Sequence, residues 1–191
     1  MSDERLVVML TKIKDLSEMM VDLAYSSFIC ECEEVADHVL EMGGMMEVLH
    51  LEFELAVLGL REKRPAKGLL GMIRLSIAAE NLADAATTMA SIVKKGVRAH
   101  PVMRMAMEKA EETIVVTNIT EDSALGDRRL GELGLEDDIG MRIIAVKRGE
   151  NWTYNPSDSF VLNPGDLIIA RGYAEGRQKL LTLADPTDSY R

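Results

Sequence analysis

Apolar positions in the first hundred residues recur at helical spacing. Leu6, Met9, Ile13, Leu16, Met20 and Leu23 alternate steps of three and four, the seam of a helix packed in a bundle. Continuing that register reaches Ser27, Cys30, Glu34 and Asp37, so the seam has to shift. Phe28, Cys32, Val35, Val39, Met42, Met46 and Leu49 pick it up. No Gly or Pro interrupts from Leu6 to Met42, which predicts one long helix up to Gly43 and Gly44, a kink or turn there, and further helix over 45–60. After the charged connection Arg61–Gly68, a third helix should bury Leu75, Ala78, Leu82, Ala85, Met89 and Ile92. Lys94, Lys95 and Gly96 close it, because basic residues suit the negative end of the helix dipole and Gly suits a left-handed cap. His100 and Pro101 open a short helix.

From Thr113 the texture turns to short β-branched runs. Thr113–Ile119, Met141–Lys147, Ser159–Leu162 and Leu167–Arg171 read as strands, and Ala174–Leu183 as a closing helix. Leu125–Leu135 reads as a helix opened by Asp127, with Leu130 and Leu133 inward. Asn155-Pro156 and Asn163–Asp166 (NPGD) are turns. The expected architecture is α+β: an antiparallel helical bundle over 1–112, then a small mixed β-sheet with helices over 113–191.

Of the 191 residues 47% are hydrophobic and 28% charged, enough apolar surface to pack a core. Lys and Arg number 22 against 32 Asp and Glu, and the net charge of −10 argues against non-specific binding to nucleic acid or an anionic membrane. No apolar run approaches the roughly 20 residues that span a bilayer, so no direct membrane insertion is expected. Without a signal-peptide layout at the N-terminus the expected location is cytoplasmic. Phosphate-binding loops, dinucleotide fingerprints and nucleophile elbows are absent, which points to a non-enzymatic role. Two residues apart on one continuous helix, Cys30 and Cys32 would sit about 200° apart around the axis and serve as small packing residues.

Acidity is concentrated between Asp15 and Leu60, a stretch with eleven acidic residues and no Lys or Arg. Glu18 with Asp22, and Glu33 with Asp37 and Glu41, stand one helical turn apart, and each such like-charge pair weakens a helix by roughly 0.2–0.5 kcal/mol. A cation reverses that sign. Glu33 and Asp37 lie opposite Val35 and Val39, while Glu80 and Asp84 lie opposite Leu75, Leu82 and Met89. These four carboxylates are candidate ligands for a divalent metal ion, with Glu34 and His38 close by. Solvated helix faces, or an acidic docking face for a basic partner, are the other readings of the same pattern.

Two resemblances meet these residues. Glu33–Val39 (EEVADHV) and Glu80–Ala86 (ENLADAA) resemble the acidic signature of PhoU-like helical domains, which lies on helices of a three-helix repeat and contributes carboxylates to metal clusters. This chain has length for one such repeat. Residues 113–183 resemble the C-terminal regulatory domain of TrkA and RCK proteins, which control potassium channels and transporters. The likeness is carried by Ile114–Val116, Ser123, Leu125-Gly126, Leu130–Leu135 (LGELGL), Gly140–Arg148 (GMRIIAVKR), Asn155-Pro156, Leu162–Ala170 (LNPGDLIIA) and Gly172.

That second resemblance implies a domain that dimerises and, in some members, binds a cyclic dinucleotide such as cyclic di-AMP between subunits. Ile143, Ile144, Arg148 and Asn151 are the positions it implies for the ligand. Arg148 suits a phosphate and Asn151 a base edge. The implied protein is a homodimer regulating a membrane cation channel or transporter. The alternative implied by the first resemblance is a metal-binding regulator of phosphate transport or signalling.

Overall fold

The computed structural model describes residues 3–61, 65–97, 101–108 and 110–187. It divides into two compact units, residues 1–98 and 99–191. Helix α4 (Pro101–Glu108), which the sequence pattern placed ahead of a boundary at 112, falls in the second unit. His100 lies outside the described residues.

Three long helices make the first unit: α1 (Asp3–Cys30), α2 (Glu33–Leu58) and α3 (Ala66–Lys94), each packed on the other two. The α1 seam is as expected, with Leu6, Met9, Ile13, Met20 and Leu23 buried. The chain reverses twelve residues earlier than Gly43. Glu31 adopts a left-handed φ of 51°, and α2 then runs unbroken through both glycines. A Cβ on Gly43 would meet the Thr87 methyl at 2.7 Å, so this glycine serves close approach of α2 and α3 rather than a bend.

On α3 the expected face is the wrong one. Leu75 and Leu82 stay 57% and 52% exposed, while Leu69, Ser76, Ala83, Ala86, Ala90 and Val93 are buried. Helices approach most closely over small side chains, and the Ala-rich face permits that where the Leu face does not. The buried hydroxyls of Ser17, Ser27 and Ser76 each donate to the carbonyl three residues earlier, at 2.7–2.8 Å, so the core leaves them satisfied.

The second unit is built on strands β1 (Glu112–Asn118), β3 (Met141–Arg148), β4 (Asn151–Tyr154) and β6 (Leu167–Tyr173), in the order β1-β6-β3-β4. Every neighbouring pair is antiparallel, so the sheet is not mixed as expected. The Gly149-Glu150 connection is too short for anything but a hairpin, and β6 runs against both its neighbours. A second ladder joins β2 (Arg128–Arg129) to β5 (Val161–Leu162).

That ladder dissolves the helix expected over 125–135. Asp127 takes φ 59°, its N–H donates to Leu162 O at 2.7 Å, and Leu130 N–H donates to Phe160 O at 2.9 Å. Backbone groups a helix would pair internally are spent on the partner segment, leaving only short α5 (Leu130–Leu133) and α6 (Leu135–Ile139). Helix α7 (Ala174–Ala184) closes the unit, and its Leu180 and Ala184 join Val115, Ile119, Met141, Ile143, Val146 and Ile168 in one core.

Candidate ligand-binding site

The start of β3 lies beside a recess of about 350 Å³. Leu130, Gly131, Gly134, Leu135, Glu136 and Asp137 line it from the α5–α6 segment, Met141, Arg142 and Ile143 from β3, and Pro156 and Asp158 from the following turn. Two glycines set its geometry. Gly140 takes a left-handed φ of 68° to end α6 and launch β3. Gly131 donates its N–H to Asp158 O at 2.9 Å, and a Cβ there would fall 2.9 Å from Asp158 Cβ, so no larger residue fits without moving the wall.

Arg142 is the cation of this recess. It is exposed between buried Met141 and Ile143, and its guanidinium donates to Asn155 Oδ1 at 3.0 Å. Asn155 is itself left-handed, with φ 46°, and its N–H donates to Ile144 O at 2.8 Å. Ile144 is the extra residue of a β-bulge, since β6 pairs with Ile143 and then with Ala145. Bulges re-aim side chains beside sites. Glu136, Asp137 and Asp158 face the single Arg142, so the lining is net acidic.

The four positions implied for a ligand are spread along the strand. Ile143 lines the recess and belongs to the core, and Ile144 is 1% exposed and contributes its carbonyl to the Asn155 turn. Arg148 and Asn151 pair across the β3–β4 hairpin, about 16 Å from Ile143 at the usual rise per residue. Arg148 is held there by Asp166, which is 1% exposed, through hydrogen bonds of 2.7 Å to each carboxylate oxygen, and by Val161 O at 2.8 Å. Its guanidinium also lies 5.3 Å from the Phe160 ring centroid. In one chain Arg148 therefore ties the end of β3 to the Asn163–Asp166 turn, where Asp166 also accepts the Asn163 N–H at 2.8 Å.

Sequence reasoning passed over Arg142, Asn155 and the Gly131–Asp158 contact. A signal for Arg142 was available: it is the one charged residue inside an otherwise apolar run, Met141–Val146.

The acidic helix faces have partners of their own. Lys94 reaches back from α3 to Glu33 at 3.2 Å and to Asp37 at 3.0 Å, and Lys14 meets Glu18 at 2.9 Å. The cations missing from residues 15–60 thus come from Lys14, which adjoins that stretch, and from Lys94 at the far end of α3. Those contacts raise the Lys94 ammonium above its ordinary range, Asp37 first and Glu33 second. Glu80 accepts from Nδ1 of buried His50 at 2.7 Å. His50 Nε2 lies 3.5 Å from Glu54 but makes no directed hydrogen bond. On α2, Asp37 and His50 stand about 20 Å apart along the axis, so the pair Glu33–Asp37 and the residue Glu80 do not converge. The Asp84 carbonyl takes the hydroxyls of Thr87 and Thr88, both at 2.9 Å. Among the described residues no three His, Cys, Asp or Glu are grouped so as to hold a metal ion, and no helix is long and apolar enough to cross a membrane.

Residues 114–184 match the family model of the TrkA-C domain. A curated relative, "Probable potassium channel protein 2" of Methanocaldococcus jannaschii, is 30% identical over 83 residues, which are 42% of this chain and 24% of the relative. The chain thus spans about a quarter of that protein's length. The RCK C domain of the potassium transport protein KtrA, solved with cyclic di-AMP, is 24% identical over 43% of this chain and 94% of its own, with a TM-score of 0.35. The RCK_C domain dimer of Streptococcus agalactiae BusR, solved with the same compound, is 21% identical over 41% of this chain and 99% of its own, also at 0.35.

Proposed function

We propose that residues 114–184, the segment matching the TrkA-C domain, are the sensor of a cytoplasmic, non-enzymatic regulator of potassium or other cation transport. The observation that carries this reading is the match itself, together with the recess that opens beside Arg142 and Ile143. The ligand site is completed when two copies pair. Within one subunit a phosphate-bearing ligand meets three carboxylates and one guanidinium, so its binding needs donors from a second copy. Arg148 and Asn151 take part only if the paired copy presents that end of its β3. Cyclic di-AMP, the compound named for the two solved relatives, is the first ligand to test. A ligand of this kind acts by binding one arrangement of the subunits better than another, and a membrane cation channel or transporter reads the shift.

Calorimetric titration of the full chain with cyclic di-AMP and a panel of other nucleotides tests the site, with light scattering to follow pairing. One nucleotide is expected to bind. Arg142→Ala should weaken it about tenfold or more, the weight of one charge-assisted hydrogen bond. Glu136→Gln with Asp137→Asn should strengthen it. A protein that stays a single subunit and takes up none of the panel would end this reading.

A further inference from the structure

The acidic and basic residues of the helical unit occupy different parts of the chain. Residues 15–60 carry eleven carboxylates and no Lys or Arg, whereas 3–14 and 61–67 together hold seven basic residues against three acidic ones. Leu6, Leu60 and Gly68 line one recess, which places the described parts of both short segments at the same end of the bundle. An otherwise acidic unit therefore has one end of opposite sign.

The recess at that end has a volume of about 420 Å³. Leu6, Phe53 and Leu69 form its buried floor, Leu10 and Met72 are half-buried, and Val7 and Gly68 lie exposed at its lip. No described lining side chain carries an N–H, a hydroxyl or a charge, so water entering the recess finds no side-chain partner. Gly68 keeps it open. This residue stands one turn before Met72 on α3, and a Cβ there would meet nothing within 4 Å. A larger apolar residue would fill that space and would suit the helix better, since glycine is among the poorest helix formers.

Arg5, Arg61 and Lys67 are exposed, and each adjoins a lining residue along the chain: Leu6, Leu60 and Gly68. Glu4 is the exposed carboxylate next to Arg5. Long basic side chains lie along apolar surface and keep their charged ends in water. An apolar recess with such cations at its mouth suits a molecule with a hydrocarbon tail and an anionic head. With a methylene taken at about the 30 Å³ of a water molecule, the volume holds one chain of roughly ten to fourteen carbons. It has no room for two, which sets aside an intact phospholipid.

We propose that the recess between the start of α1, the end of α2 and the start of α3 binds one single-chain amphiphile of the fatty-carboxylate class. The tail lies against Phe53 and Leu69, and the carboxylate is held at the mouth by Arg5, Arg61 and Lys67. This site is separate from the recess beside β3 and needs no second copy of the chain.

Calorimetry of the full chain with soluble carboxylates, kept below their micelle concentrations, reads the tail. One molecule should bind per chain, and affinity should rise about fourfold for each methylene from octanoate to dodecanoate. Hexadecanoate should gain little over tetradecanoate, because its tail outruns the recess. Gly68→Leu puts a side chain into the space without harming the helix, so dodecanoate should bind about tenfold more weakly or worse while the melting temperature does not fall. Arg61→Gln with Lys67→Gln should weaken dodecanoate about tenfold and leave dodecanol, which has no charge, unaffected. Equal affinity of the unaltered protein for dodecanoate and dodecanol would overturn the proposal, as would unchanged binding to Gly68→Leu. Attachment to phosphatidylglycerol vesicles without any uptake of the free carboxylates would overturn it too, by making this end of the bundle a membrane-contact surface.

Discussion

The two units hold their charges in opposite ways. In the helical unit Lys94, Glu33 and Asp37 meet in water, with the two carboxylate side chains 61% and 53% exposed. In the sheet unit Asp166 is withdrawn from solvent and accepts from Arg148 and from the Asn163 backbone. An exposed ion pair gains little, because water solvates both partners almost as well apart as together. A buried carboxylate that several donors depend on is different, since removing it strands the donors as well as the charge. The first arrangement decorates a fold that packing has already decided. The second helps decide how the backbone turns.

The largest expected effect sharpens that contrast. Asp166→Ala should destabilise the sheet unit by about 2–4 kcal/mol, toward the lower end because the half-exposed Arg148 can rehydrate. Lys94→Ala should leave the helical unit's stability unchanged. Hydrogen exchange in denaturant, read separately for the two units, measures both, and equal losses would break the comparison. Next come the paired glycines of α2. Gly43→Val should cost about 1–3 kcal/mol by driving a side chain into Thr87. Gly44→Ala, where nothing lies within 4 Å of the new methyl, should stabilise by about 0.5–1 kcal/mol. Urea midpoints of the two variants should therefore move in opposite directions.

The smallest effect concerns pH. Burial lowers the His38 imidazole from 6.5, with the nearby Glu41 opposing it. Below 6.5 the unfolded chain then binds a proton that the folded chain resists, so His38 favours the fold at neutral pH and loses that contribution as pH falls toward its depressed value. His38→Gln should flatten the melting temperature between neutral and mildly acidic pH. An unchanged slope would show that other groups set it.

Much of the architecture could be read from residue order. The α1 seam, the strands at β1, β3 and β6, the closing helix and the acidic run are local patterns, and local patterns survive folding. Three features were not legible. The reversal at Glu31 falls at a residue type that signals no turn. The Leu75–Leu82 face of α3 carries the larger side chains and was expected inside, yet the opposite, Ala-rich face is the one buried. The Asp127 turn was read as a helix cap because its backbone partner, Leu162, lies thirty-five residues away. Of the recess beside β3 only Ile143 was named in advance as a ligand position, because Arg142 and Asp158 gain meaning from the bulge and turn that bring them together.

By itself the amino-acid order determined which segments prefer helix or strand, where the texture changes, and that the surface is acidic, because each depends on spacing or composition along the chain. Tertiary structure alone decided which face of α3 is inside, which lysine answers which carboxylate, and which residues line the recess beside β3. Those outcomes depend on how closely backbones approach and where a distant segment supplies a hydrogen-bond partner, and neither quantity is written in the spacing of residues.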